Sequence, residues 1–402
     1  MIEDGRNSYA TFQYGTRYLR RADRVPVDPA ALALPDPDAA SPTFRTANDF
    51  NLFNGIRDAA PDGWGRYLMN KAAGPETLDE FDYLVASGDH RVGALAFGAD
   101  ATSGPKRVAP WGDGDASGEG VELAALAEAA ERVQSVDHLD PTLRRILEAA
   151  SSLGGARPKA AVDDRPEPWI AKFSAKEDTY PICRAEFAVM RMARECGLDV
   201  PEVDLKSIMD RDVYLIRRFD RHLAGNQLER VPFASALTML EAHEIAAHEY
   251  SYRDLAEIIR RFGSAPPRDL RELFARMAFN ILVGNDDDHL RNHAFLFDGK
   301  GWRLSPLYDV VPRPRTGSDA RLILAVGKSG HEATLANALT GAEAFGLGRD
   351  EATTVLENLR TRVGARWKST LSEAGIKALD VERLAKCFAE SGNAQWQRND
   401  GR

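Results

Sequence analysis

The chain has 402 residues and a formal net charge of −9. That length holds two or three domains, and that sign excludes a protein that grips nucleic acid with its whole surface. It is 44% hydrophobic and 28% charged, as globular proteins are. The cysteines, Cys183, Cys196 and Cys387, lack metal-type spacing and fit a reducing compartment. The opening MIEDGRNSYATFQYG lacks the apolar core of a signal peptide, and no apolar run is long enough to span a membrane. A cytoplasmic protein without membrane contact is expected.

TFQYGTRYL and VGALAFGAD read as strands of a small α+β unit. Between them, Pro61-Asp62-Gly63 reads as a turn that starts a helix. ADATSGPKRVAPWGDGDASGEG has linker chemistry, and GVELAALAEAAERVQS after it reads as a helix. WIAKFS is a short strand. PICRAEFAVMRMAREC is a helix that opens at Pro181 and stops at Gly197. VDLKSIM and VYLIRRF flank DRD as a hairpin. Beyond Leu237 the chain turns helical. Ser251 and Asp254 form a capping pair, with Gly263 as the stop. Leu270, Leu273, Phe274, Met277 and Ile281 recur at the spacing of an amphipathic core helix. HAFLF, DGKG and WRLSP read as a hairpin, and the remainder as mainly helical. The domains expected are 1–115, 116–225 with a lysine strand and a glycine loop, and a helical 226–402.

A sheet-rich half and a helix-rich half outline a two-lobed kinase, and phosphoryl transfer asks for a specific set of groups. A carboxylate must orient or deprotonate the acceptor hydroxyl, and carboxylate and amide oxygens must hold magnesium. In GNDDDHLRNHAFLFDGKGWRLSPLYDVV, Asp287 and Asn292 have the kinase spacing of base and metal ligand, and Asp309 follows a hairpin as the second metal ligand does. Asp286 and Asp288 are then expected to be solvated loop neighbours. His289 and His293 would need one shared helix to bind zinc, and no third ligand is evident nearby. Gly154 and Gly155, with Arg157 and Lys159, form a loop whose N–H groups can cradle phosphates. VGKSG at 326–330 imitates a Walker motif but has Leu322 where a glycine is required. Lys172 lies in an apolar strand, where it can snorkel from an edge or pair with Glu186 on the next helix as a kinase lysine does. Arg217, Arg218 and Phe219 occupy the segment that would link the lobes and meet adenine.

These pieces together resemble the HipA family, serine/threonine kinases that are the toxins of bacterial toxin–antitoxin modules. The matching segments are APDGWGR, GALAF, SSLGGARPKA, WIAKF, RAEFAVMRMARECGLDVP, RRFDR, GNDDDHLRNHAF and SPLYDVVP, in order from about residue 10 to 330. The resemblance implies an α+β, two-lobed protein-kinase-like fold with a small N-terminal α+β subdomain and a mostly helical C-terminal lobe. It implies ATP and Mg2+ as cofactors and Asp287 as the catalytic residue, with Asn292 and Asp309 on the metal. It places Gly154, Gly155, Ala156, Arg157, Pro158 and Lys159 in the nucleotide loop, with Lys172 as the ATP lysine. Arg217, Arg218 and Phe219 become the adenine segment, with His289 and Tyr308 close to the nucleotide. It makes Ser152 a site of inactivating autophosphorylation. It implies a protein substrate such as an aminoacyl-tRNA synthetase, and a helix-turn-helix antitoxin of HipB type through which operator DNA is reached. A small-molecule kinase and a non-catalytic corepressor bridging antitoxin on DNA are the alternatives. The family opens on a β-hairpin before its FQY-like strand, and here only about ten residues precede that strand.

Overall fold

The computed structural model describes residues 2–4, 7–47, 50–98, 122–136, 143, 153–162, 167–225, 227–314, 320–393 and 395–399. The expected linker and Ser152 lie outside them. The described elements run in order β1 (Ile2–Asp4), β2 (Asn7–Tyr9), β3 (Thr11–Phe12), α1 (Thr16–Leu19), β4 (Phe44–Arg45), α2 (Asn54–Arg57), α3 (Gly63–Ala73), α4 (Glu80–Ala86) and α5 (Leu123–Val133). Next come β5 (Lys159–Val162), β6 (Trp169–Phe173), α6 (Ile182–Glu195), β7 (Val203–Ile208), β8 (Arg211–Arg217), β9 (Arg221–Ala224), β10 (Gln227–Arg230), β11 (Phe233–Ser235) and α7 (Ala236–Met239). The rest are α8 (Tyr252–Phe262), α9 (Pro266–Val283), β12 (Ala294–Phe297), β13 (Trp302–Leu304), α10 (Leu335–Thr340), α11 (Arg349–Glu373) and α12 (Ala378–Leu384). They form two compact units, Met1–Lys176 with Ile208–Arg211 and Asp220–Glu241, and Glu177–Ser207 with Asp212–Phe219 and Ala242–Arg402.

In the first unit, ahead of the FQY segment, Ile2–Asp4 pairs antiparallel with Asn7–Tyr9, Ile2 opposite Tyr9. TFQYGTRYL is a strand only at Thr11–Phe12 and turns helical at Thr16. Its Tyr14 is buried with Leu19, Leu32 and Phe53, and the Tyr14 hydroxyl donates to the Leu32 carbonyl at 2.7 Å. That burial pushes the Tyr14 phenol up to about 12. VGALAFGAD, expected as a strand, is irregular over residues 92–98. Gly93 has φ +74, its N–H donates to Asp220 at 2.8 Å and its carbonyl accepts from Arg221 at 2.9 Å. Side chains thus hold the groups that a strand would give its neighbour. α3 starts at the expected turn with Asp62 as its cap. β5 and β6 pair antiparallel, with Lys159 opposite Lys172.

In the second unit, α8 opens on a Ser251–Asp254 capping box and ends at Gly263, as the sequence indicates. α9 buries Leu270, Leu273, Phe274, Met277 and Ile281. It stops at Gly284 in the left-handed conformation, φ +66, where a Cβ would sit 2.8 Å from the Cys387 Cα. Only glycine suits both the angle and the gap. β12 and β13 form the expected hairpin, but the described residues of 305–334 carry no helix, contrary to the expectation of helix from there on. The Walker-like turn has no N–H groups to spare for phosphate. The Lys328 N–H is bonded to Thr340 Oγ1 at 2.8 Å and the Ser329 N–H to Asn337 Oδ1 at 2.9 Å. No helix among the described residues is long and apolar enough to cross a membrane.

Candidate active site

The acidic loop begins where α9 ends. The Asn285 N–H continues to the Asn280 carbonyl at 3.0 Å, and its side-chain amide donates to Asn280 Oδ1 at 3.1 Å. Asn280 donates to the Tyr252 hydroxyl at 3.2 Å. That hydroxyl donates to Asp288 Oδ2, which also lies 3.0 Å from His293 Nε2. Asp288 is therefore not a solvated neighbour: it is 3% exposed. Burial alone would raise its carboxyl pKa. The field and hydrogen bond of His293, with the Tyr252 hydroxyl bond, more than offset burial and hold it below the usual carboxylate range. Burial beside that charge pushes the Tyr252 phenol well above its ordinary value.

This buried polar base leaves Asp287 on the open side of the loop. Its backbone carbonyl accepts from Asn292 Nδ2 at 3.0 Å, so the two residues singled out by spacing are joined. Arg313 caps the carboxylate, with Nη2 2.7 Å from Asp287 Oδ2 and Nε 3.9 Å from Asp286 Oδ1. The Arg313 backbone is anchored, its N–H to the Gly284 carbonyl at 3.1 Å and its own carbonyl to Cys387 Sγ at 3.1 Å. Like charges crowded at 286–288 are thus relieved in two ways, by burial of one against hydrogen-bond donors and by a guanidinium on the other two. Sequence reasoning missed Arg313, Tyr252, Asn280 and the burial of Asp288. No periodic or spacing signal marks them.

Asp309 follows the hairpin in the left-handed region, φ +60, where Asp is among the more tolerant residues. Its neighbour Tyr308 donates to the Arg291 carbonyl at 2.6 Å, and its ring lies 5.4 Å from that of Phe219. Arg217 ends β8 with its N–H on the Glu202 carbonyl at 2.9 Å, and Arg218 is buried. Burial first, then the fields of Glu186 and Asp309, push the Tyr214 phenol well above its ordinary value. His289 Nδ1 is buried and makes no hydrogen bond among the described residues. His289 precedes a single 3-10 turn, Leu290–Asn292, and His293 follows it, so the pair does not share the helix that a zinc reading needs. Among the described residues no three His, Cys, Asp or Glu converge as a metal cluster.

In the other unit Gly154 and Ala156 are exposed, Arg157 is half-buried, and the Pro158 carbonyl accepts from the Phe173 N–H at 2.9 Å. Gly155 has φ +96, and a Cβ on it would run into Lys159 Nζ. Lys172 on β6 and Glu186 on α6 are both buried, one in each unit.

A long helix ending in an Asp–Asn loop, a hairpin followed by a second Asp, and a glycine loop before a lysine strand define an α+β, protein-kinase-like fold. The fold matches that of the solved Shewanella oneidensis toxin–antitoxin complex of HipA, HipB and operator DNA, with TM-score 0.66 and 16% identity over 95% of this chain and 92% of that one. Residues 151–367 match the HipA-like C-terminal domain, and the chain belongs to that family. A Sinorhizobium fredii protein provisionally named a kinase, Y4mE, is 30% identical over 36% of this chain and 34% of its own length. The serine/threonine-protein kinase toxin HipA of Shewanella oneidensis is 29% identical over 31% of this chain and 33% of its length. The chain thus covers about a third of the length of these curated relatives.

Proposed function

We propose that the chain is an ATP- and Mg2+-dependent protein serine/threonine kinase that acts as the toxin of a toxin–antitoxin module. The observation that carries the reading is the bond from the Asn292 amide to the Asp287 carbonyl, on a buried polar base that presents one carboxylate outward. Asp287 accepts the proton of the acceptor hydroxyl as its oxygen bonds to the γ-phosphorus and the bond to the ADP oxygen breaks. The guanidinium of Arg313 swings off Asp287 as the hydroxyl arrives. Its fixed backbone confines the motion to the side chain.

The residues fit magnesium. Asn292 spends its amide nitrogen on the Asp287 carbonyl, so the atom it offers a metal is Oδ1. That oxygen and the Asp309 carboxylate are the hard ligands magnesium takes alongside substrate phosphates. Bound magnesium neutralises charge on the transferred phosphoryl group. In the first unit the 154–159 loop and Lys172 are the groups proposed for the phosphates; in the second, Glu186, Arg217, Arg218 and Phe219, with His289 and Tyr308, are those proposed for the nucleotide side. Asp309→Ala and Asn292→Ala are each expected to weaken ATP binding in magnesium far more than in chelator. Equal losses in calorimetry under both conditions would make them fold residues instead.

The protein substrate proposed is a translation component such as an aminoacyl-tRNA synthetase, and the partner a HipB-type antitoxin. The likeness to a toxin–antitoxin–DNA complex supports the partner, and a chain of charge −9 reaches operator DNA best through a basic partner. Transfer of labelled phosphate to protein in a cell lysate tests the substrate class. Transfer only to small molecules overturns it.

Ser152 is the proposed autophosphorylation site. Phosphate there adds about −1.5 to −2 of charge next to donors meant for ATP, and it drives the loop out of the site. Incubation with ATP and magnesium is expected to yield Ser152 phosphate by mass spectrometry in the active protein and none in Asp287→Asn. Equal modification in both, or in neither, would remove Ser152 from the scheme.

A further inference from the structure

The APDGWGR segment lies outside the stretch that matches the family domain, yet it touches the nucleotide loop. The Trp64 N–H donates to the Gly155 carbonyl at 2.9 Å. A Cβ on Gly63 would lie 2.9 Å from the Ala156 Cα, and one on Gly154 would lie 3.8 Å from the Asp62 Cβ. The Gly63 N–H is held by the Asp62 carboxylate at 2.7 Å. The first turn of α3 is therefore a floor on which residues 154–156 rest, and all of these contacts fall within one compact unit.

We infer that Asp62, Gly63 and Trp64 are positioning residues for the nucleotide loop, acting on the phosphates through it. In a trans peptide the carbonyl and the next N–H point in opposite directions. With the Gly155 carbonyl tied down to Trp64, the N–H of Ala156 is turned away from α3, toward the side on which an anion would be received. The left-handed φ of Gly155, +96, makes that peptide orientation accessible. Gly63 has no side chain because the Ala156 backbone occupies the place of its Cβ. Asp62 takes the Gly63 N–H at the helix start, and the next N–H is spent on the loop carbonyl. Three consecutive residues thus have a reason to be Asp, Gly and a residue with an N–H.

The inference rests on the kinase reading, and one experiment separates the two. Magnesium–ADP binding by calorimetry and amide exchange over 153–157 are measured on the full chain, the wild type beside Gly63→Ala and Gly15→Ala. Gly15 starts α1, and a Cβ there meets nothing within 4 Å. For Gly63→Ala the expected result is a melting temperature near that of the wild type, faster loop exchange without nucleotide, and about tenfold weaker ADP binding, with Gly15→Ala unchanged. Unchanged loop exchange in Gly63→Ala overturns the floor. Faster exchange with unchanged affinity overturns its role for the nucleotide. A wild type that binds no nucleotide overturns the kinase reading and this inference with it. Should Gly63→Ala fail to fold, Asp62→Ala, which adds no atoms, is expected to shift exchange and affinity the same way by less, and no shift in it overturns the floor.

Discussion

Asp287→Asn is expected to leave the protein folded and to lower phosphoryl transfer by about 10²–10⁴-fold, the usual contribution of a positioned base. The substitution is nearly isosteric. It changes a half-exposed side chain, and the tie from Asn292 is to the Asp287 carbonyl, which the substitution keeps. Arg313 loses an ion pair, but exposed pairs contribute little to stability. The same change at Asp286 is expected to cost far less, because Asp286 stands 3.9 Å from Arg313 and makes no bond to Asn292. A single-turnover assay of the two variants decides the register. Near-normal transfer by Asp287→Asn with loss in Asp286→Asn would shift the base by one residue.

Asp288→Ala is expected to act through the fold. It strands the Tyr252 hydroxyl and the His293 ring nitrogen in a site without water access, and breaking such a buried pair costs on the order of 3 kcal/mol. Asp288→Asn keeps an acceptor oxygen and is expected to cost less. The pH dependence has a definite sign. The folded carboxyl sits below its ordinary pKa, so its ionic stabilisation is complete above the unfolded value of about 4 and is lost as pH falls through the folded one. Urea titrations at neutral pH and near pH 3 are expected to show the advantage of wild type over Asp288→Asn shrinking in acid. An advantage that is flat or larger at pH 3 would mean the ionised form is not what the network selects.

The sequence is legible where structure is local. The α9 periodicity, the Ser251–Asp254 cap and the 294–304 hairpin each depend on residues a few positions apart, and all three appear as expected. Asp287 and Asn292 are likewise singled out by their spacing, five residues apart, while the bond between them appears only in the structure. The burial of Asp288 is not legible, since its partner Tyr252 lies 36 residues back and a run of three carboxylates looks like a solvated turn. VGALAFGAD misleads in a similar way. Its apolar pattern suits a strand, but Gly93 is held by Asp220 and Arg221, 127 and 128 residues on. Nothing in a short window reveals that a side chain will replace a strand partner. Arg313 lies in a Pro-rich stretch without periodicity, and only the anchored backbone brings its guanidinium to the loop.

Cys387 gives the loop a support that similarity in sequence does not delimit. It packs on Gly284 at the loop's entry and bonds to the Arg313 carbonyl at its far side, yet the family match stops at residue 367. A stretch recognisable by descent is therefore shorter than the stretch that is mechanically complete. A fragment cut at the family boundary would keep Asp287, Asn292 and Asp309 and lose the wedge that sets where the first of them stands.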